Sequence, residues 1–349
     1  MCTEKSYGGN NGVREHLGKI AKNKGKSPKQ INKTKNQTQK TQETITSQKN
    51  NINKNISEEE SYKKAGEIAN KIRDYAKNLI KPGMPLLEIA KKIEGEIENL
   101  GGVPAFPVNL SINEIAAHYH PTLEDTTLAQ GLLKVDIGVQ INGFIADTAF
   151  SMDLTPEKKY KELIKASEEA LENALNILNK NPSLNDIGKT IKETIEKKGF
   201  SPIINLSGHE LKQYEVHAGL TIPNYANNNN TKLEQGAYAI EPFATTGEGK
   251  VIDGQSSNIF KINQFRNPRS PTARKILEYA AEKYRTLPFS LREMQEQFGN
   301  IARLGLKELE QIGAVHNFPQ LIEKTRQPVS QAEHTFIKTK DGKIIVTTK

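Results

Sequence analysis

The chain has 349 residues, room for one large domain or two ordinary ones. Its one cysteine, Cys2, leaves no intramolecular disulfide or cysteine-based zinc site and fits a reducing compartment. No apolar run approaches the roughly 20 residues of a membrane span, and the opening MCTEKSYGGNN has no signal-peptide core, so a cytoplasmic protein without membrane contact is expected. The net charge of +8 is uneven: residues 1–57 carry +9, with 12 Lys and Arg against 3 Asp and Glu, and the remainder carries −1.

In chain order, residues 1–56 form a Lys/Asn/Gln/Thr-rich tail, low in complexity from 22 to 55, with too few apolar side chains to offset the entropy of ordering. Disorder is expected there. Its charge would attract polyanions such as ribosomal RNA in a salt-dependent manner, or serve as a solubilising extension without a partner.

The folded body is expected over residues 57–349. Ser57 and Glu60 make a capping box for a helix to about Leu79, which Lys81-Pro82-Gly83 stops. A second amphipathic helix covers about 86–99, followed by strand-like residues 103–108 and a hairpin over 132–150. Helices over about 156–179 and 184–198 come next, then strand-like runs near 202–207, 213–218 and 236–242. Helical periodicity returns over 269–316, and a hairpin turning on Asp341-Gly342 ends the chain. Strands and helix pairs interleave without strict βαβ alternation, which predicts an α+β fold with 269–316 as a helical insertion.

The hairpin VDIGVQINGFIAD (135–147) reads as buried, yet it carries two carboxylates. Asn142-Gly143 marks a two-residue turn that pairs 141 with 144, 139 with 146 and 138 with 147. Strand side chains alternate, so Asp136 shares a face with residue 138 and lies diagonal to Asp147. Two such charges repel, and one holds a proton unless a cation lies between them. A solvated outer face of the hairpin is the alternative.

Three more ligand-type residues stand in strand contexts: Glu241 in AYAIEPFAT, Glu333 in QAEHTFI and His209 in LSGHEL. Singly, a strand glutamate is as readily an ion-pair partner. Together, four carboxylates and one imidazole suggest a site for two divalent metal ions, with Fe2+, Mn2+, Co2+ or Zn2+ suited to these donors. Zincin chemistry is excluded at His209, because residue 213 is Gln where a second histidine is required. TGEGK (246–250) is neither a Rossmann nor a P-loop signature and reads as a surface turn, and Asn227 to Asn230 read as a loop.

The segments AFPVNLSINEIAAHYHP (105–121), VDIGVQINGFIADTAFS (135–151), SGHELKQYEVHAG (207–219), AIEPFATTGEG (239–249) and QAEHTFI (331–337) closely resemble the type 2 methionine aminopeptidases of the archaeal branch. The resemblance spans about residue 58 to the C-terminus, and the stretch between Glu241 and Glu333 fits the insertion that separates type 2 from type 1 enzymes. The basic tail departs from the pattern, since archaeal members usually start near the first helix.

The resemblance implies a pita-bread fold, two pseudo-symmetric α+β halves with the metals between them. It implies that Asp136 chelates one metal, that Asp147 and Glu333 bridge both, and that His209 and Glu241 complete the other shell. It matches His118 to a residue near the reacting amide, His217 to one at the scissile carbonyl, and Phe106 to the wall of a methionine pocket. Structural histidines in a cleft wall and an ordinary core aromatic are the alternatives; His120 has no matched role. The activity implied is removal of the initiator methionine from nascent polypeptide N-termini with a small second residue. Glu241 is the candidate proton acceptor for the attacking water. An Xaa-Pro aminopeptidase or prolidase on the same fold, and a ribosome- or RNA-binding member without metals, remain as rivals. A monomer is expected.

Overall fold

A computed structural model describes residues 56–349, so the expected tail lies outside the described residues apart from Ile56. Helix α1 (Glu58–Leu79) begins where the Ser57 hydroxyl accepts the Glu60 N–H at 3.2 Å, and three glutamates in its first turn complement the helix dipole. The capping box is half formed, because Glu60 reaches forward to Lys64 at 3.5 Å. Ala65, Ala69, Ile72 and Ala76 recur at helical spacing and are fully buried, as are Leu86, Ile89, Ala90, Ile93 and Ile97 of α2 (Leu86–Asn99). These faces cover a hairpin of β4 (Leu132–Ile141) and β5 (Phe144–Asp153). Its edge is extended by β1 (Val103–Pro104) and β2 (Asn109–Ile112). The register is the expected one, Ile141 opposite Phe144 and Gly138 opposite Asp147. Asn142 (φ 54°) and Gly143 (φ 87°) take the left-handed conformations that the turn requires.

The second half repeats the plan. Helices α3 (Lys161–Ile177) and α4 (Leu184–Lys197) pack beside β7 (Ser207–Leu211), β8 (Thr221–Pro223) and β9 (Gly236–Ile240). Strand β15 (Glu333–Lys338) joins the halves, pairing with β5 on one side and β9 on the other. The sheet runs β1-β4-β5-β15-β9-β7-β8, with β2 beside β4 and β16 (Ile344–Val346) beside β15. A three-stranded sheet combines β6 (Ser201–Pro202), β10 (Phe243–Thr245) and β14 (Val329–Gln331). A four-stranded sheet has the order β12 (Phe289–Ser290), β11 (Val251–Ile262), β13 (Val315–Glu323), β3 (Ile115–Ala117). Between β11 and β13, α5 (Pro271–Lys283), α6 (Leu291–Phe298) and α7 (Ala302–Gln311) make the helical insertion around Ile276, Phe289, Met294 and Leu306.

Several boundaries differ from expectation, each for a local reason. Residues 213–218 are not a strand: Lys212 and Glu215 exchange both backbone hydrogen bonds at 2.9 Å and Tyr214 takes φ 59°, so the chain turns there. Helix α3 starts at 161, because the Asp153 carboxylate binds the N–H groups of Thr155 and Tyr160 at 2.9 and 2.6 Å and holds a turn. The strand-like run 103–108 leaves its ladder after Ala105. Strands β11 and β13 went unread because their polar, half-exposed stretches lack clean alternation.

Candidate metal centre

The site grows from one sheet face. Residues directly opposite on paired strands share a face. Asp136 stands opposite Ala149 across β4 and β5, and Glu333 opposite the same Ala149 across β5 and β15. Asp147, two residues before Ala149, joins them. On the other half His209 stands opposite Ala239, and Thr335 of β15 opposite that same alanine. Glu241 follows two residues later, just past the end of β9, its backbone carbonyl accepting from Asn224 Nδ2 at 3.1 Å. The two alanines, Ala149 and Ala239, thus stand between the strand positions of four carboxylates and one imidazole.

Ligand-type atoms of Asp147, His209 and Glu333 all lie within 4.8 Å of one another, and the three residues are buried. His209 Nε2 is 3.7 Å from Asp147 Oδ2 and 3.7 Å from Glu241 Oε1, farther than a hydrogen bond. Burial pushes the Asp136 carboxyl up to about 7. Burial, then the charges of Asp136 and Glu241, push Asp147 well above the carboxylate range. Glu333 is raised in the same way by burial and by Asp147, Glu241 and Asp136. Oδ1 of Asp136, Oδ1 of Asp147 and Oε1 of Glu333 have no hydrogen-bond donor. Buried acceptors without donors are costly, and oxygen-rich donors with one imidazole are what hard or borderline divalent cations take. The residues present fit such ions.

The other expected residues border this cluster. His217 lies between β7 and β8, its ring 4.5 Å from that of His209 and inclined by 76°. Burial, with the positive charge of Lys261 and then His118, lowers its pKa to about 3, so it is neutral. His118 follows β3 with φ 64°, a strained conformation for a residue with a side chain. Its Nδ1–H donates to the Pro319 carbonyl at 3.1 Å, and its ring sits edge-on to Phe318 at 5.5 Å. Phe106 packs on Gly138, where a Cβ would fall 2.3 Å from the ring. His120 lies outside the cluster, buried, bonded through Nδ1 to the Val108 carbonyl.

Two residues escaped the sequence reading. The Thr335 hydroxyl accepts from Asp147 N and donates to Asp147 O, both at 2.8 Å, which fixes that ligand strand against β15. Its position two after Glu333 on one strand face is the signal that would have found it. Phe318 could not be found, because its contact with His118 crosses 200 positions of sequence.

Residues 60–262 match the model of metallopeptidase family M24. The methionine aminopeptidase of Pyrococcus abyssi is 46% identical over 289 residues, 81% of this chain and 97% of that protein. The methionine aminopeptidase of Methanocaldococcus jannaschii is 44% identical over 83% of this chain and 99% of its own. Among solved structures, a thermophilic Arx1 superposes with TM-score 0.70 at 19% identity, covering 82% of this chain and 89% of that one. The methionine aminopeptidase of Thermotoga maritima superposes with TM-score 0.59 at 22% identity, covering 85% and 98%, and both likenesses show the pita-bread fold. The chain therefore belongs to metallopeptidase family M24, among the type 2 methionine aminopeptidases of the archaeal branch.

Proposed function

We propose that the chain is a metal-dependent aminopeptidase that removes the N-terminal methionine from nascent polypeptides with a small second residue. The observation that carries this reading is the convergence of Asp136, Asp147, His209 and Glu333 on one face with Glu241 beside His209, where Asp136 Oδ1, Asp147 Oδ1 and Glu333 Oε1 lack donors. Asp136, Asp147 and Glu333 would hold two divalent ions with His209 and Glu241. When bound, the ions supply acidification of the attacking water and polarisation of the scissile carbonyl.

The chain's own side chains do the rest. Glu241, less buried than its neighbours at 15% exposed, takes the proton from the attacking water and returns it to the leaving amine. Neutral His217 donates a hydrogen bond to the oxygen on which negative charge develops. His118, its Nδ1–H committed to Pro319, presents Nε2 to the peptide amide. Phe106 supplies an apolar wall for the methionine side chain. The test is turnover of Met-Ala-Ser after chelation, with Fe2+, Mn2+, Co2+ and Zn2+ added back separately, against Ala-Pro and Xaa-Pro-Xaa peptides. Turnover of the proline peptides in preference to Met-Ala-Ser would put the chain with the prolidases instead.

The same reading places the protein in the cytoplasm as a monomer, where nascent chains emerge. No helix among the described residues is long and apolar enough to cross a membrane. The +9 charge of residues 1–57 suits contact with ribosomal RNA. Ribosome co-sedimentation over a salt series, with and without residues 1–55, tests that contact. Unchanged sedimentation would sink it.

A further inference from the structure

The edge of the main sheet carries an irregularity beside the site. Ala105 N–H bonds to the Gly138 carbonyl at 2.9 Å, and pairing resumes with Asn109 opposite Asp136. The chain thus advances from 105 to 109 while its partner moves only from 138 to 136. Three residues, Phe106-Pro107-Val108, stand against Ile137 alone, and all three are buried. This excursion is what lays the Phe106 ring across Gly138.

Leaving the ladder has a cost, because Val108 is fully buried and its backbone groups need partners. Side chains provide both. Glu94 of α2 accepts the Val108 N–H at 3.3 Å, and the His120 Nδ1–H donates to the Val108 carbonyl at 2.8 Å. Asn109 Nδ2 secures the Pro107 carbonyl at 2.9 Å. The Glu94 side chain is only 17% exposed, and its counter-charge comes from Arg292, itself 2% exposed, which donates to the second carboxylate oxygen. Arg292 belongs to α6 in the helical insertion. That helix is anchored by a full capping box at Ser290 and Glu293, by Tyr284 donating to Glu293 at 2.9 Å and by Gln295 donating to Glu124 at 3.1 Å.

From this geometry we infer that Glu94, His120 and Arg292 are positioning residues for the Phe106 wall, through which the helical insertion sets selectivity for the first side chain of the substrate. The inference rests on the reading of Phe106 as pocket wall. Arg292 does not touch substrate. Burial raises the Glu94 carboxyl and the Arg292 guanidinium draws it back toward the charged form, so Arg292 aims Glu94, Glu94 and His120 hold Val108, and Val108 fixes the ring two residues upstream.

The test compares Arg292→Met, Glu94→Gln and the double variant with the metal-loaded full chain, on Met-Ala-Ser and Leu-Ala-Ser. Arg292→Met leaves a buried carboxylate without its counter-charge, and KM for Met-Ala-Ser should rise about tenfold with kcat changed less than about twofold. Preference for Met over Leu should narrow. The double variant keeps an amide oxygen for the Val108 N–H without either charge, and should recover most of the KM. Leu306→Ala, in the insertion core, is the control for general loosening. Unchanged KM and selectivity in Arg292→Met would overturn the inference, as would an equal KM rise in Leu306→Ala at a matched loss of thermal stability. Phe106→Ala separates the two levels. If it leaves selectivity intact, the pocket reading falls and takes this inference with it; if it relaxes selectivity while Arg292→Met does not, only the inference falls.

Discussion

Alanine at Gly138 would put a Cβ 2.3 Å from Cε1, 2.5 Å from Cδ1 and 2.8 Å from Cζ of Phe106. Non-bonded carbons rest about 3.5–4.0 Å apart, so the ring or the strand must move by about 1 Å or more. The strand is the stiffer side. Gly138 stands opposite Asp147 in an unbroken ladder of ten pairs and lies two residues from Asp136. The ring therefore yields. Overpacking of this kind costs roughly 1–3 kcal/mol. If the displaced ring occupies the space of the methionine side chain, KM for Met-Ala-Ser rises about tenfold for each 1.4 kcal/mol transferred to binding. The assay is steady-state hydrolysis with bound metal measured in the same samples. Metal content should stay at the wild-type level. Phe106→Leu vacates the contested volume, so the double-mutant cycle should show a coupling of about 1 kcal/mol or more. Wild-type KM in Gly138→Ala, together with a coupling within about 0.3 kcal/mol of zero, would refute the reasoning.

Asp147→Asn should weaken divalent-metal binding by more than the roughly 10–100-fold that outer partners of ligands carry, and full peptidase activity in this variant would disprove the metal mechanism. His217→Asn and His118→Gln should each lower kcat by about 100- to 1,000-fold while retaining metal by elemental analysis, since neither belongs to the ligand set. Removing the Thr335 hydroxyl with Thr335→Val should reduce metal affinity without altering the helical circular dichroism signal, because it frees the Asp147 backbone from β15. Finally, Mn2+ should stabilise the chelated protein more as pH rises through 7. Asp136 at about 7, and Asp147 and Glu333 above the usual range, bind protons in the metal-free fold that the unfolded chain has lost. They therefore weaken that fold as pH climbs from about 4 through 7, and metal binding must displace those protons. Buried His120, lowered to about 4, favours the fold above 6.5 with or without metal and cancels in the difference. A melting-temperature gain from Mn2+ that shrinks between pH 6.5 and 8.5 would contradict this sign.

What the sequence determined by itself was local and periodic. Asn142-Gly143 dictates its turn, the turn dictates the register, and the register puts Asp136 and Asp147 on one face. The two amphipathic helices before the hairpin follow from apolar spacing, and α2 has the expected bounds. Motif order carried the family. Tertiary structure alone decided what depends on strand neighbours far apart in the chain. Nothing near Glu333 states that β15 lies between β5 and β9, the pairing that brings the two half-sites together around Ala149 and Ala239. His118 owes its orientation to Pro319 and Phe318, and Val108 owes its hydrogen bonds to Glu94, His120 and, through Glu94, Arg292. Hydrophobic periodicity encodes which face is buried, whereas the partner of a buried charge is set by which strands and helices meet, and that information is not local.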